Sequence, residues 1–469
     1  MMMTCQTKSR FFTTVLLASC CFASLRVPQI AEADERIPAD AAPRYWKGNI
    51  HTHTFWSDGN DFPEMIAEWY RVHDYNFLAL SDHNILSEGQ KWMPHRQIAS
   101  RSRGKALQKY VDRFGANWVE TKGDPDTPGY EIRLKPLDEF RALVEERGKF
   151  IMIPGEEISD SAAGKPVHMN ATNVKELIRP LGGKTVQEAM TANLRAAKEQ
   201  AERTGRTILV HLNHPNFHFA VTAEDIAAVI PEQYFEVYNG HPDVGHQGDK
   251  NHPSTERLWD IANTLRIAKL AAAPLYGVAT DDSHNYHGRP GSHTGRGWVM
   301  VQSRFLTPEY LLKAMNRGDF YASSGVSFES IQFENGELSL KIQTKEGVTY
   351  STEFIGTLEG YDDESTERVD KDGKPIRSSR KYSSDVGAVL AKVEGTSPTY
   401  KLTGKELYVR AVVTSSEAPA DPVFANQRQQ AWTQPVGWKE RVAAANKVPV
   451  PETDDPKKAA PAKISREAN

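Results

Sequence analysis

The chain has 469 residues, room for a catalytic domain of about 250 to 300 residues plus a smaller module. Its 57 basic and 61 acidic residues leave a net charge of -4, which gives no overall drive toward nucleic acid or an anionic membrane and favours small polar partners. All three cysteines, Cys5, Cys20 and Cys21, fall within the first 33 residues, so a mature chain starting near Asp34 is expected to have neither disulfides nor thiolate chemistry.

Residues 1–33 read as an export signal. Lys8 and Arg10 precede an apolar core over 11–25, and Ala31 and Ala33 flank Glu32 in a small-x-small cleavage site. Two other fates of the leader stay open. Leu17, Ala18, Ser19 and Cys20 form a lipoprotein-type box that would put a lipidated Cys20 at the mature N-terminus, and an uncleaved core would act as an anchor, although it is short for a membrane span. An exported protein, periplasmic or extracellular, is expected.

The next elements alternate. A strand over 44–53 is followed by a helix over 63–75, with Pro63 in its first turn and Met65, Ile66 and Trp69 at helical spacing. An apolar strand over 77–80 then runs into Ser81, Asp82 and His83. Between about residues 88 and 135 periodicity is poor and turn formers gather, which marks an insertion over the active face. Its basic cluster, Lys91, Arg96, Arg101, Arg103, Lys105 and Lys109, reads either as a solvated helix surface or as an aid to anion binding. Regularity resumes with a helix over 137–147 and strands over 150–153 and 166–171. A helix through Val186, Met190, Leu194 and Ala201 leads to a strand over 207–210. Strands at 234–238 and 276–280 enclose a helix over 254–270, and a strand at 298–301 with a helix over 308–316 ends the unit near 325. Seven or so βα units with polar residues after the apolar runs imply parallel strands whose carboxyl ends share one face. From 326 to 442 alternation takes over, as in 337–343 and 407–413, and predicts a small antiparallel β module. Residues 443–469 lack apolar periodicity and read as a disordered tail.

The chemistry gathers where the apolar runs end. His51 and His53 lie two apart and would project to one face of an extended backbone, with Asp58 following after a bend. Later strand ends add His83, Glu157, His168, His214, Asp282 and His284. Nine nitrogen and oxygen donors exceed one tetrahedral ion's need and suit two or three divalent metals sharing a carboxylate.

These motifs resemble, in order, those of the PHP (polymerase and histidinol phosphatase) family: His51 and His53 with Ser57, Asp58 and Gly59; Ser81, Asp82 and His83; Pro154, Gly155 and Glu157; His168; His214 with Pro215; and Asp282 with His284. The resemblance covers roughly residues 44–325. It implies a distorted (β/α)7 barrel of TIM-like kind, here α/β with a small antiparallel β module after it, and a cluster of zinc, manganese or iron. It implies that His51, His53, Glu157 and Asp282 hold one metal, that Glu157, His168 and His214 hold a second, and that Asp58, His83 and His284 hold a third, with Glu157 as bridge. The chain departs from the family at Asn49, where an Asp often precedes the first His; this removes an acceptor behind the ligands but no ligand. Glu156 beside Glu157 makes the register ambiguous until the Gly-x-Glu spacing selects Glu157.

Water on such ions is acidified to near neutral pH and the ions grip phosphoryl oxygens, so hydrolysis of a small phosphorylated substrate is the leading expectation. Asp282 reads as a ligand or a proton relay. Arg289 and Arg296, in a glycine-rich stretch after the last ligands, are candidate catalytic residues that could fork onto phosphate oxygens. His211 reads as a residue behind the metals, a substrate group or a core residue, and His241, His246 and His252 as loop residues or a further metal set. Trp56 reads as packing. Two other functions stay open: an amidohydrolase or lactonase, since metal-activated water does not prescribe phosphorus, and a non-enzymatic metal- or ligand-binding exported protein. Polymerase proofreading is not expected, because no polymerase region is present.

Overall fold

A computed structural model describes residues 41–446 of the chain. The leader, Cys20 with its lipoprotein box, and residues 447–469 of the expected tail lie outside the described residues. Among the described residues no helix is long and apolar enough to cross a membrane.

Thirteen strands form one sheet. Across it they run Tyr276–Thr280, Tyr234–Asn239, Leu209–Leu212, Lys165–Thr172, Ile151–Ala162, Phe77–Leu80, Arg44–Asn49, Trp298–Ser303, Phe320–Ser323, Gln430–Trp432, Glu406–Ser415, Tyr350–Leu358 and Ala388–Glu394. The first seven form a mixed α/β half rich in parallel pairs, and from Trp298–Ser303 onward every pairing is antiparallel. Helices connect successive strands with ordinary start and stop signals. Pro63 opens Pro63–Val72, Thr185 accepts from the Glu188 amide at the start of Val186–Thr204, and Gly205 ends that helix in a left-handed turn.

One expected parallel strand runs the other way. Lys165–Thr172 pairs antiparallel with both Ile151–Ala162 and Leu209–Leu212. The cause is local: Ala163 and Gly164, with φ of 50° and 71°, make a two-residue connection, which can only reverse the chain, whereas a parallel crossover needs a dozen residues or more. His168 therefore sits within a hairpin arm rather than at a parallel strand's carboxyl end.

The ladders do not form the expected closed ring of seven βα units, because Arg44–Asn49 passes the sheet on to Trp298–Ser303. Beyond its last ladder residue, however, the first strand's extension meets the edge strand's extension. Thr52 bridges Ser283, His53 N donates to Ser283 O at 3.0 Å, and Asp282 N donates to His51 O at 3.0 Å. Trp46, Phe77, Ile153, Leu209 and Val278, from five strands of this half, share one buried cluster with Ile50, so the half curls around a common interior.

The alternating C-terminal segment is antiparallel as expected, and its strands extend the same sheet, since Phe320–Ser323 pairs with Gln430–Trp432. A separate three-stranded sheet of Phe328–Glu334, Glu337–Ile342 and Thr399–Lys401 packs beside them. A buried fork ties this segment to helix Thr255–Leu270: Arg410 Nε and Nη2 donate to Asp260 Oδ1 and Oδ2 at 2.8 and 2.7 Å, and Tyr408 Oη donates to Oδ1 at 2.8 Å. Arg410→Leu would strand the Asp260 charge in the interior, with an expected loss of about 3–5 kcal/mol in chemical denaturation, whereas replacing both partners together should cost less.

Candidate metal centre

The nine donors arrive from six segments and meet above the curled half of the sheet. Glu157 stands at their middle. Its Oε2 lies 3.6 Å from His51 Nε2, 3.4 Å from His53 Nε2 and 2.7 Å from His83 Nδ1. Its Oε1 lies 3.0 Å from His168 Nδ1 and 3.5 Å from His214 Nε2. Asp282 Oδ1 is 3.2 and 3.1 Å from the Nε2 atoms of His51 and His53. Asp58, the most exposed donor, faces His83 Nε2 at 3.5 Å and His284 Nε2 at 3.3 Å. His53 is stacked between His83 and His284, with ring centroids 4.4 and 4.0 Å away.

These side chains fit metal ions. His51 Nε2, His53 Nε2, Glu157 Oε2 and His168 Nδ1 are buried without a hydrogen-bond partner, an arrangement that costs free energy unless a cation occupies the shared space. Most of the N···O separations match the edge of a coordination polyhedron, roughly 3.0–3.4 Å for donors about 2.1 Å from an ion. Donor atoms of His53, Asp58, His83 and His284 converge within 4.8 Å of one another, as do those of His51, His214 and Asp282, of His51, His53 and Glu157, and of His83, Glu157 and His168.

Electrostatics follow from the crowding. Burial opposes charge on Glu157, yet His83, His51 and the other imidazoles hold its carboxyl well below the usual range. Burial likewise opposes a charged His83, but Glu157 and Asp58 outweigh it and raise the ring to about 11. His53, flanked by His284 and His83, is pushed down to about 3, by burial first and then by those neighbours.

Behind the donors lies a carboxylate that sequence reasoning missed. Glu236 Oε1 is 2.7 Å from His51 Nδ1 and accepts Thr280 Oγ1 at 2.7 Å, while Oε2 accepts the His214 amide at 2.7 Å. It fixes the His51 ring so that Nε2 faces the cluster. A lone acid inside the otherwise apolar run Tyr234, Phe235, Val237 and Tyr238 was its one sequence signal. His211, fully buried, stands 3.4 Å from the same carboxylate. Asn49 braces the loop itself, accepting the His51 amide at 2.9 Å and donating to Gly297 O at 3.0 Å. The acceptor for the His51 ring comes from Glu236 on the neighbouring strand rather than from position 49.

The two arginines expected to reach substrate point elsewhere. Arg296 is buried and donates to Gly240 O and Gly291 O, each at 2.7 Å, and to Asp421 at 2.9 Å. Arg289 donates to Ser100 O at 2.6 Å. A glycine-rich stretch suits a phosphate loop, but here its turns deliver these guanidinium groups to main-chain carbonyls. From the insertion's basic cluster, Lys91 donates to Trp56 O, and Arg101 to Ser57 O and Gly59 O, bracing the loop that carries Asp58. Trp56 is buried packing. His246 pairs with Asn239 O and stacks on Tyr238, and His252 pairs with Asp249 and stacks on Phe219, so neither joins a donor set with His241. A cavity of about 940 Å³ between Tyr45, Tyr276, Phe333 and Trp438 is lined by none of the nine donors.

No family model and no curated protein matches the chain. Solved structures similar to it include a two-domain protein containing a predicted PHP-like metal-dependent phosphoesterase from Bacteroides vulgatus, at 14% identity and a TM-score of 0.35, covering 85% of this chain and 97% of that one. Another is a protein provisionally named a metal-dependent phosphoesterase from Bifidobacterium adolescentis, at 14% identity and a TM-score of 0.26, covering 55% of this chain and 91% of that one. Likeness at these values carries no weight for activity, which has to be read from the side chains.

Two outcomes test the centre. Because ligation needs a neutral ring and His83 is held protonated without metal, zinc or manganese binding should release protons and tighten as pH rises. Titration calorimetry in buffers of different ionisation enthalpy reads that release. Glu236→Gln should weaken metal affinity about 10- to 100-fold while leaving the fold intact by circular dichroism.

Proposed function

We propose that this protein is an exported, metal-dependent phosphoesterase of PHP type acting on a small phosphorylated molecule. The observation that carries the reading is the convergence of nine imidazole and carboxylate side chains, Glu157 at their middle, several with buried polar atoms that no protein group satisfies. Two or three divalent ions held there would acidify water and polarise phosphoryl oxygens.

The chain's own residues do the rest. Glu157 presents one oxygen to His51 and His53 and the other to His168 and His214, which suits a carboxylate shared between ions. Asp282, beside both His51 and His53, acts as a ligand, and its Oδ2 is held by Asn239 Nδ2 at 3.1 Å. His214 and Asp282 adopt left-handed backbone, with φ of 22° and 48°, a strain that persists where surrounding structure imposes it for function. Asp58, His83, His168 and His284 keep partial exposure and form the side open to substrate.

The test is turnover by metal-loaded protein of a panel of phosphomonoesters, phosphodiesters, lactones and amides, with metal content measured in parallel. The parent should hydrolyse phosphoesters, and His53→Ala and Asp282→Ala should lower the rate at least about 1,000-fold with loss of bound metal. Equal phosphoester rates in parent and variants under every metal would sink the reading, and turnover confined to lactones or amides would replace it.

A further inference from the structure

The loop after the Glu236 strand carries a histidine outside the nine-donor set. His241 Nδ1 accepts the backbone N–H of Asp243 at 3.2 Å. A backbone amide can only donate, so Nδ1 offers its lone pair and the proton of the neutral ring sits on Nε2. That leaves Nδ1 engaged and Nε2–H unsuited to ligation, because a ligand must aim a lone pair at the ion. The ring is half-buried and stands edge-to-face with His284, centroids 5.7 Å apart, on the partly exposed side of the centre. Among the described residues nothing hydrogen-bonds to Nε2, which is not sealed from solvent.

The surrounding residues hold this donor in place. Asn239 Oδ1 accepts the His241 amide at 2.7 Å, while Asn239 Nδ2 donates to Glu236 at 2.8 Å and to Asp282 at 3.1 Å. Gly240 N donates to Thr280 O at 2.9 Å, and Gly240 packs so closely that a Cβ there would lie 2.4 Å from Asp281 O. Arg296 clamps Gly240 O and is itself held by Asp421 from the C-terminal segment. The position of His241 is thus tied to a metal ligand on one side and to the distant β segment on the other.

We propose that His241 contacts substrate at this centre, its neutral imidazole donating Nε2–H to an oxygen of the phosphoryl group or of the leaving group. The inference rests on the metal-dependent phosphoesterase reading and adds a protein donor to it.

The experiment compares metal-reconstituted parent, His241→Ala and His241→Gln for metal per chain, affinity for inorganic phosphate and turnover of p-nitrophenyl phosphate. Metal content should not change. Phosphate affinity should fall about 10-fold and turnover about 100-fold in His241→Ala, with part of each loss recovered by the amide donor of His241→Gln. Loss of metal from a folded His241→Gln protein would make the residue a ligand and overturn the proposal. Unchanged phosphate affinity in both metal-replete variants would overturn it too, as would a parent that binds no phosphate. If the parent binds phosphate in a His241-dependent way but hydrolyses no phosphoester, the function reading falls and the contact stands.

Discussion

Everything in the centre depends on one carboxylate being buried among imidazoles. Glu157 is fully enclosed, and an isolated charge in that position would cost several kcal/mol. Five imidazole nitrogens lie within 3.6 Å of its two oxygens, and they can repay that cost only as protonated rings or as ligands of shared cations. Without cations in that space, like-charged His83 and His284 rings would stack on either side of His53. The donor set is therefore complementary to metal in a way that a salt-bridge network is not.

The scaffold works by bringing strand ends and one hairpin to a common level. Strand extensions bearing His51, His53, Asp282 and His284 are bonded to one another through main-chain amides, so these four donors are placed by backbone rather than by flexible side chains. Outside this layer, acids and amides hold the ligands and their loops: Glu236 behind His51, Asn213 on Glu157 at 2.9 Å, and Asp82 on the Thr54 and Ser57 amides at 2.8 and 3.0 Å. The insertion and the C-terminal segment, remote in sequence, act at the rim through Arg101 and Asp421.

What could be read from sequence divides along physical lines. Candidate metal donors are limited to a few residue types and stand at the ends of apolar runs, and the nine positions named on that basis come together in one place. Glu236 could not be named so, because a solitary acid in a strand looks the same whether it orients a ligand or pairs with a core residue. Arg296 misled for the opposite reason: its neighbours suit phosphate binding, but whether a guanidinium faces the site depends on turn geometry that spacing does not encode. The reversed strand carried its own signal in Ala163 and Gly164, a connection too short for a crossover. The paired edges of the β segment were beyond reach, since alternation identifies strands without naming their neighbours.

That reversed strand has a bearing on how the centre assembles. Glu157 and His168 sit on facing arms of a tight hairpin, so their approach requires little loop closure, whereas His51 meets Asp282 only after nearly the whole α/β half has been gathered in. The second pairing carries most of the contact order of the site. The candidate centre thus joins a local part to a global one, and the larger share of its loop-closure entropy falls on the global part.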